Sequence, residues 1–579
     1  MRRILSSTTM AAVLTLLMLG EAGAQTIAEV PREKTLIFEN IEGRVPIPDN
    51  MNPYISGQNL DWGMWQATQE SLFYYNLESG KLEPWLAESG TYSDDAKTVT
   101  IKVRKGAKWS DGVPFTSADI AFTIDMLKAN KNLQYAAAME RWVDKVETPD
   151  ADTAVIKLTN ANPRFLLDYF GVRIWNTLLI APKHIWEGVD PNTFTNFDLK
   201  KGLPLGTGPY RLVRSTETET VFDRLPNWWA AETGFHAMPA PERVIWTGVG
   251  TEDARAAMGV NNQLDAMWIM GRSTFEIARE RNPHIIGWSK DLPYAYLDAC
   301  PRSLFFNTSA APLDKVAVRQ AVNDAINRDQ LVKVAFEGMS EPSYSVFPTY
   351  SSLNEMLKRN EATLEKLHSD PKAIEGLMQG AGFTRGGDGF WADASGKKAG
   401  FEITARSGET DKLKMGPIIV AQLRKAGFDA SFRPAESAIF YTDVSNGTAA
   451  AYIADTCGSV QDGFASFAQF RSSESAPTGS ASSGSTPTRF ASNDYDAAVD
   501  TMAKLPASDP AFTAAADKAL AILSQEVPVV PLVQARLLTP FNTTYWTNWP
   551  TAENNYVHPG HWWVTGNQLI LSVKPAGTN

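Results

Sequence analysis

A chain of 579 residues cannot be organised around one hydrophobic core, because single cores stop growing well below this size and longer chains divide. Two or more lobes are therefore expected. No repeat of fixed short period occurs, which disfavours solenoids and propellers. Hydrophobic residues make up 44% and charged residues 21%, the balance of an ordinary globular protein. The net charge of −11 argues against a nucleic-acid binder, which needs a basic face to neutralise phosphates.

The first 24 residues read as a targeting segment. Arg2 and Arg3 supply a positive start, Met10 to Leu19 an apolar run, and Ala22-Gly23-Ala24 a small-residue cleavage site. The mature chain is then expected to begin at Gln25. The run is shorter than the about 20 residues a membrane span needs, and no Cys follows it that could carry a lipid anchor. A periplasmic location follows. Only Cys300 and Cys457 occur. An oxidising compartment would let them pair, but sequence does not bring two Cα atoms within bonding reach. Two buried, unpaired thiols are the default expectation.

Strand and helix signals interleave along the chain. Val99 to Val103 and Ala154 to Leu158 suit half-buried strands. Ser117 to Lys128 predicts a helix capped by Ser117, with Ile120, Phe122, Ile124 and Leu127 on its apolar side. Val316 to Phe336 predicts two helices broken near Asn327-Arg328-Asp329. Ile418 to Lys425 predicts a helix ending at Gly427. Ser472 to Thr488, rich in Ser, Gly and Pro, predicts a long surface loop within one lobe.

Signatures of catalysis are sparse. No phosphate-binding glycine loop, H-E-x-x-H or G-x-S-x-G motif is present. Of six histidines, His558 and His561 share a VHPGH stretch but have no recognisable third and fourth metal donors nearby. Carboxylate pairs for glycoside hydrolysis are defined in space rather than in sequence, so a secreted hydrolase stays as an alternative. No catalytic residue, metal or cofactor is assigned.

An ordered set of short motifs carries a more specific signal. Asn52-Pro53-Tyr54 is followed by Glu70 to Tyr74, by Leu82 to Glu88 (LEPWLAE), by Ile101 to Gly112 (IKVRKGAKWSDG) and by Pro114 to Asp119 (PFTSAD). Further on stand Gly206 to Tyr210 (GTGPY), Leu225 to Trp229 (LPNWW), Val318 to Ala321 (VRQA), Ala325 to Arg328, Asp388 to Trp391 and Val527 to Leu532. Physically these read as architecture: Ser110-Asp111-Gly112 is a turn beneath which Trp109 packs, and GTGPY needs glycine where the backbone bends tightly. In order and spacing they resemble the family 5 extracellular solute-binding proteins of ABC importers, which carry peptides, nickel chelates and oligosaccharides.

The resemblance implies an α/β chain with the two-lobed periplasmic binding protein fold, of type II and the large cluster C form. The lobes would be hinged and the first would carry an extra subdomain at about 65–200. It places lobe I at 25–290, crossings near Asp291 to Tyr296 and Gln525 to Leu532, lobe II at 297–519, and a return to lobe I over 525–579. It implies a monomer that is not an enzyme, a small-molecule ligand enclosed between the lobes, and permease subunits of an inner-membrane importer as partners.

Tryptophan is abundant, at 17 residues. Sugar rings pack their C–H faces on aromatic rings, whereas peptides ask for a backbone ladder and charge partners. By position in the family, the candidate ligand residues are Tyr54, Asn59, Trp62, Trp65, Trp175, Trp268, Tyr294 and Tyr296. Peptide-binding relatives carry a Trp and an Asp in a second-lobe strand-turn. Here Asp455 matches the acidic position, but the Trp is replaced. An oligosaccharide is the favoured ligand, with an oligopeptide as the alternative and a nickel chelate a minor one.

Overall fold

The computed structural model describes residues 27–40, 43–55, 62–77, 79–174, 177–482, 484 and 486–577. The targeting segment read over 1–24, and the start at Gln25, lie outside the described residues. No helix among them is long and apolar enough to cross a membrane.

The first lobe is built on a four-stranded sheet in the order Thr35–Asn40, Arg243–Gly248, Glu219–Arg224 and Tyr210–Ser215. The first pair is parallel and the others antiparallel. Its core gathers Phe38, Phe222, Trp246, Phe541, Trp546 and Trp549. Glycine is required in GTGPY by close approach: a Cβ on Gly206 would lie 1.7 Å from the Thr68 carbonyl oxygen.

A subdomain inserted into this lobe carries an antiparallel sheet in the order Ala87–Tyr92, Thr98–Val103, Thr153–Leu158 and Val143–Asp150. The helix Ser117–Ala129 packs its Ile120, Ile124 and Leu127 into the subdomain core. Ser117 is not its cap. Thr116 sits one position earlier, and its backbone N–H donates to Asp119 Oδ2 at 2.8 Å, the reciprocal half of a capping box. Ser117 instead donates its hydroxyl to the Asp150 carbonyl at 2.7 Å.

The second lobe is a six-stranded mixed sheet in the order Glu341–Pro342, Val529–Gln534, Arg302–Phe306, Ala451–Asp455, Gly400–Arg406 and Asp429–Ala435. Helices Val316–Ala325 and Arg328–Ala335 flank the predicted break, where the Asn327 side chain accepts from Gln330 N at 3.0 Å. The helix ending at Gly427 (φ +100°) starts earlier than its apolar pattern suggested, at Thr410, and runs through Pro417. The Ser/Gly-rich stretch lies on this lobe, with Gly479 and Ser482 donating backbone N–H groups to Asn446 and Ser445 carbonyls.

Two corrections concern this lobe. Val529–Gln534, read as part of the return to the first lobe, is instead buried along its whole length between Glu341–Pro342 and Arg302–Phe306. Its unbroken apolar run is what a strand covered on both faces requires. The helix Pro510–Glu526 also packs into the second-lobe core. The chain therefore crosses back after Gln534, and Arg536–Leu537 pairs antiparallel with Tyr296–Leu297 of the outward crossing. The second correction is that Cys300 and Cys457 form a disulfide. Arg302 and Asp455 are direct partners on neighbouring strands, so the residues two positions beyond them continue the ladder. This brings the two Cα atoms within 4.5 Å across 157 positions of sequence.

Candidate functional site

The crossing strands form the floor of an aromatic cluster. Tyr296 is buried there with Leu537 and Trp562, and Trp268, Ile269, Trp288 and Trp563 pack around them. The Trp268 and Trp562 rings meet edge to face at 4.3 Å, Trp562 and Trp563 at 5.9 Å, and Trp288 and Tyr296 at 6.3 Å. Trp268 is held from below. Its backbone N–H donates to Glu39 Oε2 at 2.7 Å, and the same oxygen is paired with Arg255 at 2.6 Å. A buried carboxylate fixed by a guanidinium and a backbone donor makes a rigid mount.

The C-terminal stretch closes one side. The His558 ring stands against Tyr296 at 4.7 Å, and His561 Nε2 lies 2.8 Å from the Glu39 carbonyl. Burial lowers His558 to about 3 and His561 to about 4, so both imidazoles are neutral at physiological pH and serve as hydrogen-bonding groups rather than charges. Among the described residues no group of His, Cys, Asp and Glu side chains is arranged to hold a metal ion.

Beside His558 opens a hollow of about 570 Å³, counted out to solvent. Tyr74, Tyr75, Asn76 and Arg173 of the subdomain face Tyr556, His558 and Gln568 of the C-terminal stretch across it. Tyr74 connects the hollow to Glu70 beneath. Glu70 accepts from the indole N–H groups of Trp85 at 2.9 Å and Trp229 at 2.7 Å. Burial raises it to about 7 although those donors pull the other way. The second lobe reaches this region through the Cys300–Cys457 disulfide, Val460 and Tyr350, which pack against Tyr75, Leu167, Ile174 and Trp563. Side chains from both lobes and from the crossing thus converge on one place, the arrangement in which a small solute is enclosed from several sides.

Of the residues singled out from sequence, Trp268 and Tyr296 come together in this cluster. Asn59 and Trp175 lie outside the described residues. Tyr54 sits in the subdomain core, its hydroxyl donating to the Leu179 carbonyl at 2.8 Å and its ring against Trp186 at 5.2 Å. Trp62 is 2% exposed, and its carbonyl accepts from Thr220 Oγ1 at 2.6 Å. Trp65 packs between the subdomain and first-lobe cores. Gly63 between them has φ +98°, and a Cβ there would lie 2.3 Å from the Phe222 ring. Trp62 is therefore pressed into the first-lobe interior, away from the cleft in which its position in the chain placed it, whereas Trp65 is only partly buried. Tyr294 is partly buried at the edge of a first-lobe core, its ring 5.2 Å from Phe275 and 5.5 Å from the Arg279 guanidinium.

Asp455 is committed within its own lobe. Lys412 donates to it at 2.9 Å and Arg302 lies 3.2 Å away. Arg302 also binds Asp298 and Asp411, each at 2.6 Å. Burial works against ionising Asp411, yet Arg302 and Lys412 hold it well below the usual carboxylate range. Asp455 thus shares Arg302 with Asp298 and Asp411 and Lys412 with Glu409 inside its own lobe, and is not the unpaired carboxylate that would greet a peptide ammonium.

Sequence reasoning missed Trp288, Trp562, Trp563, Tyr75 and Arg173. The signal was present for two of them. Trp562-Trp563 follow VHPGH directly, in a stretch weighed only for metal ligation.

Comparison with known proteins adds the lineage. The family model described as bacterial extracellular solute-binding proteins, family 5 middle, matches residues 81–478. A glutathione-binding protein of Pectobacterium atrosepticum is 25% identical over 339 residues, covering 58% of this chain and 60% of the relative's length. A nickel-binding periplasmic protein of Escherichia coli is 24% identical over 405 residues, 69% of this chain and 71% of the relative. Among solved structures, the mannohexaose-bound periplasmic oligopeptide-binding protein of Thermotoga maritima superposes with a TM-score of 0.80 at 23% identity, covering 95% of this chain and all of that one. The nonapeptide-bound oligopeptide-binding protein of Bacillus subtilis superposes with a TM-score of 0.69 at 16% identity, covering 94% and 99%. The chain has the two-lobed α/β fold of these binding proteins, and it belongs to the bacterial extracellular solute-binding proteins of family 5.

Proposed function

We propose that this chain is the periplasmic substrate-binding component of an ABC importer. It captures an oligosaccharide between its lobes and delivers it, chemically unchanged, to permease subunits in the inner membrane. The observation that carries the reading is the gathering of Trp268, Trp288, Trp562 and Trp563 around Tyr296 at the crossing strands. The partly exposed faces of Trp268, Trp288 and Trp563 suit sugar rings, and Asn76, Gln568 and the neutral His558 nearby suit hydroxyl groups. A relative of this fold holds mannohexaose, which supports the ligand class.

A ligand enclosed from both sides loses its contact with water, so polar contacts to it strengthen as the lobes close. The solute itself promotes closure only by as much as it binds the closed form better than the open one. The second reading, an oligopeptide ligand, is favoured by the glutathione-binding and nonapeptide-bound relatives. The engagement of Asp455 with Lys412 and Arg302 counts against an ammonium anchor at that residue.

Mass spectrometry of solute carried through gentle purification separates the readings, since sugars and peptides fragment differently. An oligosaccharide mass series is expected, and a peptide mixture would replace the first reading by the second. A secreted hydrolase would instead show shorter products accumulating with time.

A further inference from the structure

The lobes meet through a buried ion pair as well as through apolar contacts. Arg164 belongs to the first-lobe subdomain, and Asp462 to the second-lobe loop between the strand Ala451–Asp455 and the helix Phe464–Ala468. Arg164 Nη1 donates to Asp462 Oδ2 at 2.6 Å across 298 positions of sequence, and the side chains are only 5% and 7% exposed. The guanidinium also lies over the Phe464 ring at 4.6 Å.

Each partner is held firmly in its own lobe. On the second lobe, Asp462 Oδ1 accepts from Phe464 N at 2.9 Å, the Val460 carbonyl accepts from Ser352 Oγ at 2.6 Å, and Cys457 is tied to Cys300. On the first, Asn162 Oδ1 accepts from Arg164 N at 3.0 Å, and Asp168 Oδ2 lies 3.5 Å from Arg164 Nε. A buried charge pair set in two rigid frames exists only while those frames are together, so it favours the closed arrangement over every open one. Asp168 travels with Arg164. When the lobes part, the guanidinium therefore keeps one carboxylate and is not left as an unpaired buried charge, which keeps opening reversible.

We propose that Arg164 and Asp462 form a closure latch: positioning residues that hold the lobes around the solute without touching it, and that set how readily the cleft opens. The assignment rests on the solute-capture reading above. Its test needs no knowledge of the ligand, because the latch acts on the empty protein too.

Small-angle X-ray scattering of the full chain without added solute reads the balance of closed and open shapes. Asp462→Asn should shift it toward open on the order of ten-fold, with a larger radius of gyration. Asp168→Asn removes the carboxylate that Arg164 keeps when the lobes part, so it should move the scattering toward the closed shape, opposite to Asp462→Asn. A merely structural need to neutralise Arg164 would move both variants alike. Should Asp462→Asn fold poorly, Arg164→Lys keeps the charge, loses the forked geometry and should give an intermediate shift. Equal shifts in Asp462→Asn and Asp168→Asn, or no shift in Asp462→Asn and Arg164→Lys, overturns the latch. Neither result touches the capture reading, which the mass spectrometry of carried solute tests without involving this pair.

Discussion

Two buried carboxylate sites, one in each lobe, are satisfied in opposite ways. In the first-lobe subdomain, Glu70 sits in the interior and is met by the indole N–H groups of Trp85 and Trp229. In the second lobe, Asp298, Asp411 and Asp455 surround Arg302, with Lys412 against Asp455. Neutral donors only partly replace water, so burial wins and Glu70 rises to about 7. Arg302 and Lys412 together overcome the same penalty and hold Asp411 low, whereas Asp298, on the other side of Arg302, stays raised by its burial. The contrast teaches that burial alone does not set the charge of a carboxylate; the number and charge of its donors weigh against it. It also makes the lobes respond differently to mutation and to pH.

The sharpest way to break that comparison is to remove the central cation. Arg302→Met leaves three carboxylates around an apolar side chain and should cost about 3–5 kcal/mol of stability, seen as a lower denaturant midpoint. A variant as stable as the parent would mean that the second lobe does not depend on this cluster. The disulfide beside the cluster comes next. Replacing Cys300 and Cys457 together by Ser should cost about 2–4 kcal/mol in the same measurement, and no change would place the tie outside the folding cooperativity of the lobe.

Glu70 gives the third test, and its sign is fixed by its upward shift. The folded chain keeps a proton on Glu70 that the unfolded chain has released between the ordinary value of 4.5 and about 7. The stabilisation this supplies is complete below pH 4.5 and is lost as pH rises through 7. Relative to Glu70→Gln, the parent should therefore lose roughly 3 kcal/mol across that window. Parallel pH–stability curves for parent and variant would show that the indoles hold the carboxylate as well as a cation does. The smallest effect concerns the site. Trp268→Ala, at a half-exposed ring, should weaken oligosaccharide binding by about 1–2 kcal/mol with little change in stability, read by tryptophan fluorescence titration. Unchanged affinity would place the sugar elsewhere.

Local signals in the sequence carried much of the fold. The apolar spacing of Ser117–Ala129 and the glycine end of the helix at Gly427 follow from short-range rules. The ordered motifs pointed to the two-lobed family because motif order records topology. Long-range pairings were the obstacle. The strand Val529–Gln534 went to the wrong lobe because its apolar run says it is buried but not beside what. Cys300 and Cys457 were left as separate thiols because the register of Arg302 with Asp455 is invisible at 157 positions' distance.

The site divided along the same line. Trp268 and Tyr296 stand on or beside the crossing, in one cluster. Trp62 lies next to a glycine pressed against Phe222 and Trp246, a contact that only three dimensions reveal. Composition flagged tryptophan as important, but the rings that gather at the crossing come from three separate stretches, around 268, 288 and 562.

The most direct test is to recover the solute from the purified, unaltered protein, weigh it by mass spectrometry, return it to ligand-stripped protein and weigh it again after prolonged incubation. The expected result is an oligosaccharide that rebinds, changes tryptophan fluorescence and keeps its mass. A peptide, a metal chelate or a sugar that comes back shorter would contradict the account.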